Sequence, residues 1–205
     1  MAAIFDELLL RGVKKGQIPA RTQDAREWYR TAARKSGSHV PAKLVRSGSN
    51  DPSRGRSQIR VGDMYLYHYE PKHKKTLPYY DRFPLVFPFK KVPKGWLGIN
   101  MHYLPLPLRA KLMDNLYSLA SNRKYNETTR LRMNYDMLNG AAKFRLFKPT
   151  IHRYLVHHVE SKMVYINPSE WDIALFLPLE RFYENKSRIK KGQVYKDSRA
   201  MLKGS

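Results

Sequence analysis

The residues with the clearest capacity for chemistry lie in and just after one strand-like segment. Asp63, Glu70 and Lys72 have the D…ExK spacing of metal-dependent nucleases, in which two carboxylates bind Mg²⁺ and a lysine lies near the attacking water. Pro71 separates Glu70 from Lys72, and proline interrupts a strand because it lacks a backbone N–H. A pattern this short also arises by chance, so a nuclease site is the least favoured interpretation of this segment.

The same segment places tyrosines at alternate positions, beside a basic loop. Tyr65, Tyr67 and Tyr69 share one face of the expected strand. Aromatic rings next to cations can stack on unpaired bases. The same alternation is produced by any half-buried strand, and burial is the interpretation that we favour.

Other catalytic and cofactor motifs are missing from the sequence. The chain has no cysteine, which excludes disulfides and thiolate metal sites. Its seven histidines have no zinc-site spacing with a second ligand type nearby. Phosphate loops, dinucleotide-binding glycine motifs and nucleophile elbows are also absent from the sequence. We therefore expect a protein that binds rather than catalyses, with no metal and no cofactor.

The charge of the chain indicates the partner. Its 205 residues include 39 Lys and Arg against 17 Asp and Glu, a formal net charge of +22. Such an excess is typical of proteins that bind a polyanion, most often nucleic acid. An anionic membrane surface and incidental basicity are the alternatives. No apolar run has the length of a membrane span, so we expect no membrane partner.

Charge is densest where there is little to bury. Residues 36–61 contain five basic side chains and one acidic, and residues 185–205 contain seven and one. We expect sequence-independent phosphate contacts from these segments. The candidate contacts are Arg54, Arg56, Arg60, Lys186, Arg188, Lys190 and Lys191.

Four segments are expected to position these residues. The sequence predicts a helical arm at residues 1–35. The second helix of this arm should start at a Thr22 N-cap and expose arginines at positions 26, 30 and 34. Residues 36–61, rich in Gly, Ser, Pro and Arg, predict a flexible linker. We expect the main domain at residues 62–184 and a basic tail at residues 185–205.

The main domain is expected to have an α+β fold, in which a small twisted β-sheet or partly open barrel packs with three to four helices. Pro84 and Pro88 suggest an edge position for the second strand. The expected strands are 64–69, 85–89, 96–104 and 163–166, and the expected helices are 107–121, 127–147 and 149–162, with a buried segment at 170–177.

Three motifs carry a resemblance to a known family. GDMYLYHYEPKHKKTLPYYDRFPLVFPF (62–89), GWLGINMHYLP (95–105) and SEWDIALFLPLERF (169–182) resemble the DNA end protector proteins of T-even-type tailed bacteriophages. The resemblance spans residues 55–199. It implies a virion protein of the head and neck that binds the ends of packaged double-stranded DNA, shields them from exonuclease and takes part in head completion.

The resemblance also implies candidate contacts and partners. Within the first motif the basic positions that would contact DNA are Lys72, Lys74, Lys75 and Arg82. The implied partners are the phage genome ends and other head or neck subunits such as the portal, and the implied locations are the virion and the host cytoplasm. One alternative is a structural neck connector whose basic arms dock on other subunits, and a less favoured one is a metal-dependent nuclease.

Overall fold

A computed structural model describes residues 4–17, 22–35, 39–120, 124, 126–143, 145–184 and 187–203. These residues form seven α-helices, a six-stranded antiparallel sheet and a three-stranded sheet, and neither sheet closes into a barrel. The α+β class and the open-sheet form of the prediction are therefore confirmed. The helices are α1 (Ile4–Lys14), α2 (Gln23–Lys35), α3 (Val40–Asn50), α4 (Leu106–Ala120), α5 (Glu127–Ala141), α6 (Trp171–Phe176) and α7 (Lys191–Lys203). The strands are β1 (Gly55–Arg56), β2 (Met64–Leu66), β3 (Tyr80–Asp81), β4 (Leu85–Val92), β5 (Gly95–Asn100), β6 (Ile151–Leu155), β7 (Met163–Ile166), β8 (Phe182–Glu184) and β9 (Ser187–Arg188).

The larger sheet has the strand order β1-β7-β2-β4-β5-β6. Side chains alternate across it as the pleat requires. Met64 and Leu66 of β2 are fully buried in the core that the sheet shares with the helices, which includes Trp171 of α6. Tyr65 and Tyr67 belong to a second cluster. The sheet is therefore apolar on both faces.

The second cluster is aromatic and closed to solvent. Tyr65, Tyr67 and Tyr69 are 2%, 0% and 5% exposed. The ring of Tyr67 meets those of Trp96 and Tyr154 edge-on, with centroids 5.9 and 5.7 Å apart, a favourable arrangement for aromatic pairs. The interpretation of these tyrosines as buried is confirmed, and they do not form a stacking platform for bases.

The second predicted strand is not an edge strand, and that prediction was wrong. Strand β4 lies between β2 and β5. Pro84 precedes the strand, and Pro88 lies where the register with β5 shifts, between Pro88 and Lys90. A bulge tolerates a residue without an N–H, so proline can occupy an interior strand here.

The predicted flexible linker of residues 36–61 contains an ordered helix, α3, and residues 36–38 lie outside the described residues. Leu44 and Gly48 are buried on the face of α3 that packs on β7. A Cβ on Gly48 would lie 2.5 Å from a methyl group of Val164. The composition of this segment predicted a linker, but Gly48 instead allows α3 to pack closely on the sheet.

The prediction of a helix at residues 149–162 was also wrong. Helix α5 ends at Ala141, a 3-10 helix covers Arg145–Thr150, and β6 follows. Tyr154 of β6 pairs with Trp96 of β5 across the sheet, and their rings stack with centroids 6.2 Å apart. Pairing and aromatic packing with β5 therefore override the helical pattern.

The basic tail is partly helical and contributes to a small third core. Helix α7 places Val194, which is fully buried, against Tyr103 and Phe182. The hydroxyl of Tyr195 accepts a hydrogen bond from Arg109 at 2.8 Å. Residues 191–203 are thus attached to the main domain by apolar and polar contacts, which fixes the position of the basic residues at the start of α7.

Candidate nucleic-acid interface

Helix α2 presents arginines at every fourth position, on one face. The predicted N-cap is confirmed, because the Thr22 hydroxyl accepts a hydrogen bond from the N–H of Ala25 at 3.1 Å. Arg26 is held over the ring of Phe176, 4.4 Å from its centroid, whereas Arg30 is half-buried and Arg34 is exposed. The helix therefore fixes its first arginine structurally and offers the last to solvent.

A cleft of about 560 Å³, called here the basic cleft, lies between the end of α2, the segment after α6, β9 and the start of α7. Arg34 also lines a second cavity, of about 670 Å³, that follows α2 past Arg30 and Arg26. The two cavities are therefore neighbours along one face. The basic side chains that line the basic cleft are Arg34, Arg181, Arg188, Lys190 and Lys191.

Among the described residues that line the basic cleft, Glu180 is the single acid, and its charge is balanced by the buried guanidinium of Arg109. Its carboxylate lies 2.7 Å from Arg109, and both side chains are buried. Burial alone would raise the pKa of Glu180, but Arg109, His102 and Lys191 more than offset it, and the pKa lies at about 2. Glu180 therefore stays ionised and mainly balances Arg109, with Lys191 at 4.0 Å, so the five basic residues of the lining exceed its acid.

The cations of the basic cleft crowd one another. In the described parts of the chain, Arg34, Arg188 and Lys190 have no carboxylate within ion-pair distance. Burial lowers the pKa of Lys191, and Arg30, Arg109 and Arg34 lower it further against the opposing effect of Glu180. Helix α7 starts here and has no acid in its first turn. The positive partial charge of its N-terminus is therefore not offset by a side chain of that turn. An anion in the cleft would relieve this repulsion.

The tail residues predicted as phosphate contacts are largely brought together. Arg188, Lys190 and Lys191 line the basic cleft, whereas Lys186 lies outside the described residues. Arg34 could be found from the four-residue spacing of the arginines in α2. Arg181 gave no signal, because it directly follows an apolar run in sequence; the residue is buried, and its guanidinium donates hydrogen bonds to the carbonyl oxygens of Pro178 and Glu180.

The predicted contacts near β1 make protein contacts instead of lining the cleft. Arg54 donates two hydrogen bonds to buried Glu170, at 2.6 and 2.7 Å. Arg60 is ion-paired with Asp63 at 2.8 Å, and the Arg56 guanidinium lies 5.6 Å from the ring centroid of Tyr165. These guanidinium groups therefore serve local structure, whatever else they contact.

The basic loop before β3 offers a second, smaller group of cations. Lys72 and Lys75 are exposed. Lys74 and Arg82 are ion-paired with Glu70, at 3.0 and 2.9 Å. One carboxylate thus offsets part of the charge of these four cations, which makes the loop a weaker candidate than the basic cleft.

The nuclease pattern does not form a site. Asp63 is buried and bound to Arg60, and Glu70 is bound to Lys74 and Arg82. Six residues of largely extended chain lie between the two acids, a span of roughly 20 Å. Within the described residues no group of three or more His, Asp or Glu side chains is placed to hold a metal ion.

Comparison with known proteins identifies the family. The family model of the phage T4 terminal DNA protecting protein matches residues 10–198. The chain has no significant match among curated proteins or among solved structures. None of the helices in the described ranges is long and apolar enough to cross a membrane. Because the match covers most of the sequence, the chain belongs to the phage T4 terminal DNA protecting protein family.

Proposed function

We propose that this chain protects the ends of phage DNA by binding them directly, with the basic cleft on the phosphates at the terminus of the duplex. The observation that carries the proposal is the lining of the basic cleft. Its exposed cations come from α2, from β9 and from the segment between β9 and α7, and its single described acid is already neutralised by Arg109. Protection then needs no reaction, because a bound protein blocks access to the end.

The geometry favours phosphate over an acidic protein surface as the occupant. The basic cleft is a cavity of about 560 Å³, and the residues with guanidinium or ammonium groups that line it belong to different elements. Several such donors around one concave site suit the several oxygens of a phosphate. A flat acidic surface would reach Arg34 and Lys190, which are exposed, but not Lys191, which is half-buried.

Salt dependence of duplex binding tests the role of the basic cleft. Replacing Arg34, Arg188 and Lys190 together by alanine should lower the log–log salt slope by roughly 2 to 3 units on duplex DNA, since each neutralised phosphate contributes about 0.9. The matched control replaces three exposed cations around α3 and β7, namely Lys43, Arg46 and Lys162. An equal change in both triple variants would contradict the proposal.

Preference for ends is measured with the same proteins. Linear duplex with open ends is compared with the same duplex closed at both ends by hairpin loops. We expect tighter binding to the open form, and loss of that preference in the cleft variant but not in the control. Equal affinity for open and closed forms would show general DNA binding without end recognition.

We also propose that the protein acts in head completion, at the portal and neck. A protein that covers the ends of packaged DNA must reach them where they are accessible, and the virion subunits there are its expected partners. Cross-linking of intact particles followed by identification of the linked peptides tests this. Cross-links to the outer head surface alone would exclude the neck location.

A further inference from the structure

A third cavity, of about 440 Å³, is lined by residues of β3 and β6 and of the segments beside them, among them five tyrosines. Its volume is within the range of pockets that hold small ligands. The walls include Tyr79, Tyr80, Tyr103 and His152. The ring centroids of Tyr103 and His152 lie 4.2 Å apart, and those of Tyr79 and Tyr103 lie 6.0 Å apart, so the rings of this aromatic pocket form one packed group, of which Tyr79 is half-buried.

Two exposed cations, Lys148 and Arg153, line the aromatic pocket. Arg153 also donates one hydrogen bond, to the carbonyl oxygen of Pro93 at 3.0 Å, so Lys148 is the freer of the two. The acid at its wall, Asp81, is buried and already bound by His102 at 2.6 Å and by the side-chain amide of Asn100 at 3.1 Å. An aromatic interior with a cationic rim matches a ligand that has a flat ring and a phosphate.

His152 offers a hydrogen-bond acceptor. Burial lowers its pKa to about 4, so the ring is neutral near pH 7. Its Nε2 lies 3.2 Å from the carbonyl oxygen of Pro149 and must donate the proton to make that bond. The other ring nitrogen, Nδ1, is then an acceptor, which suits the amino or imino N–H of a nucleobase.

The aromatic pocket lies close to the basic cleft. Tyr80 of β3 lines the pocket, Arg188 of β9 lines the cleft, and β8 lies between these strands in the smaller sheet. Two strand spacings are about 10 Å. That distance corresponds to about three nucleotides at the rise of one duplex strand, so one DNA terminus can reach both sites.

We propose that the aromatic pocket binds one unpaired nucleotide at the end of a DNA strand, with the base against the tyrosines and the phosphate near Lys148 and Arg153. This inference rests on the proposed binding of DNA ends. It adds that the protein recognises a frayed or overhanging strand and not the duplex terminus alone.

The first test uses the wild-type protein and varies the DNA, so it does not depend on whether a variant folds. Affinity is measured for a blunt duplex, for the same duplex with a three-nucleotide overhang on either strand, and for overhangs of abasic sugar-phosphate. A base-containing overhang should bind about five- to a hundredfold more tightly than its abasic equivalent, the range observed for stacking of one base on an aromatic side chain. Tyr79→Ala should abolish this difference, and Tyr135→Ala, a half-buried tyrosine of α5 outside the pocket, should retain it.

The outcomes separate this proposal from the previous one. Equal affinity for base-containing and abasic overhangs, with blunt-end binding still dependent on the basic cleft, would overturn the pocket alone. Absence of any binding to open ends would overturn the proposed function itself. Displacement of the overhang by an equal concentration of a free mononucleotide would assign the pocket to small nucleotides and contradict its assignment to a strand end.

Discussion

At the scale of single residues, Arg54 separates structural arginines from those available to DNA. Its side chain is 16% exposed and that of Glu170 is 6% exposed. Removing one partner of a buried ion pair leaves an uncompensated charge, which costs about 3–5 kcal/mol. We expect Arg54→Ala to lower the free energy of unfolding in urea by that amount, and Arg56→Ala to cause a much smaller loss. Unchanged stability with weaker DNA binding would instead make Arg54 a DNA contact.

Glu180 gives a pH-dependent prediction. Its pKa in the folded protein, about 2, is below the ordinary value of 4.5. Folding therefore favours the ionised carboxylate, and this stability is fully present above about pH 4.5 and is lost as the pH falls through about 2. A shift of this size corresponds to about 3 kcal/mol. The stability difference between wild type and Glu180→Gln, measured in urea, should shrink across this window. A constant difference from pH 7 to pH 2 would contradict it.

At the scale of secondary-structure elements, two glycines in helices should respond oppositely to alanine. Alanine favours a helix over glycine by about 1 kcal/mol. At Gly48 the added Cβ would lie 2.5 Å from Val164, whereas at Gly140 nothing lies within 4 Å. We expect Gly140→Ala to raise the melting temperature. Gly48→Ala should lower it, because overpacking costs about 1–3 kcal/mol. Equal stabilisation by both would show that α3 is not packed on β7.

The elements differ in how far sequence could predict them. β2 and β7 were predictable because apolar residues occupy both faces of short, β-branched or aromatic runs, and α2 because Thr22 provides a cap. The same reasoning failed at α3, where Gly48 was taken as a linker residue although it permits close packing. The prediction failed at β6 because Tyr154 pairs with Trp96, which is distant in sequence. Local hydrophobic periodicity does not show which distant residues pair.

The basic cleft was predictable only in part, for a related reason. The tail cations Arg188, Lys190 and Lys191 were identified from charge density. Their convergence with Arg34 depends on how α7 docks through Val194 on the third core, which is a tertiary contact. The aromatic pocket likewise combines residues from β3, β6 and the segments beside them, so no single motif indicated it.

At the scale of the whole molecule, charge and core are separated in space. The two apolar faces of the larger sheet are closed by helices and by aromatic packing, and the basic cleft beside the smaller sheet gathers five cations. The basic cleft is therefore one concentrated positive region of a chain whose net charge is +22. Such a surface attracts a polyanion and orients it on approach.

Protection of DNA ends from digestion tests this arrangement most directly. Linear duplex DNA is digested by an exonuclease that starts only at open ends, in the presence of the wild-type protein, the cleft variant with Arg34, Arg188 and Lys190 replaced by alanine, or the control with Lys43, Arg46 and Lys162 replaced. We expect wild type and control to slow digestion equally, and the cleft variant to need at least about tenfold more protein for the same effect, as loss of three phosphate contacts implies. Undiminished protection by a folded cleft variant would contradict the assignment of end protection to the basic cleft.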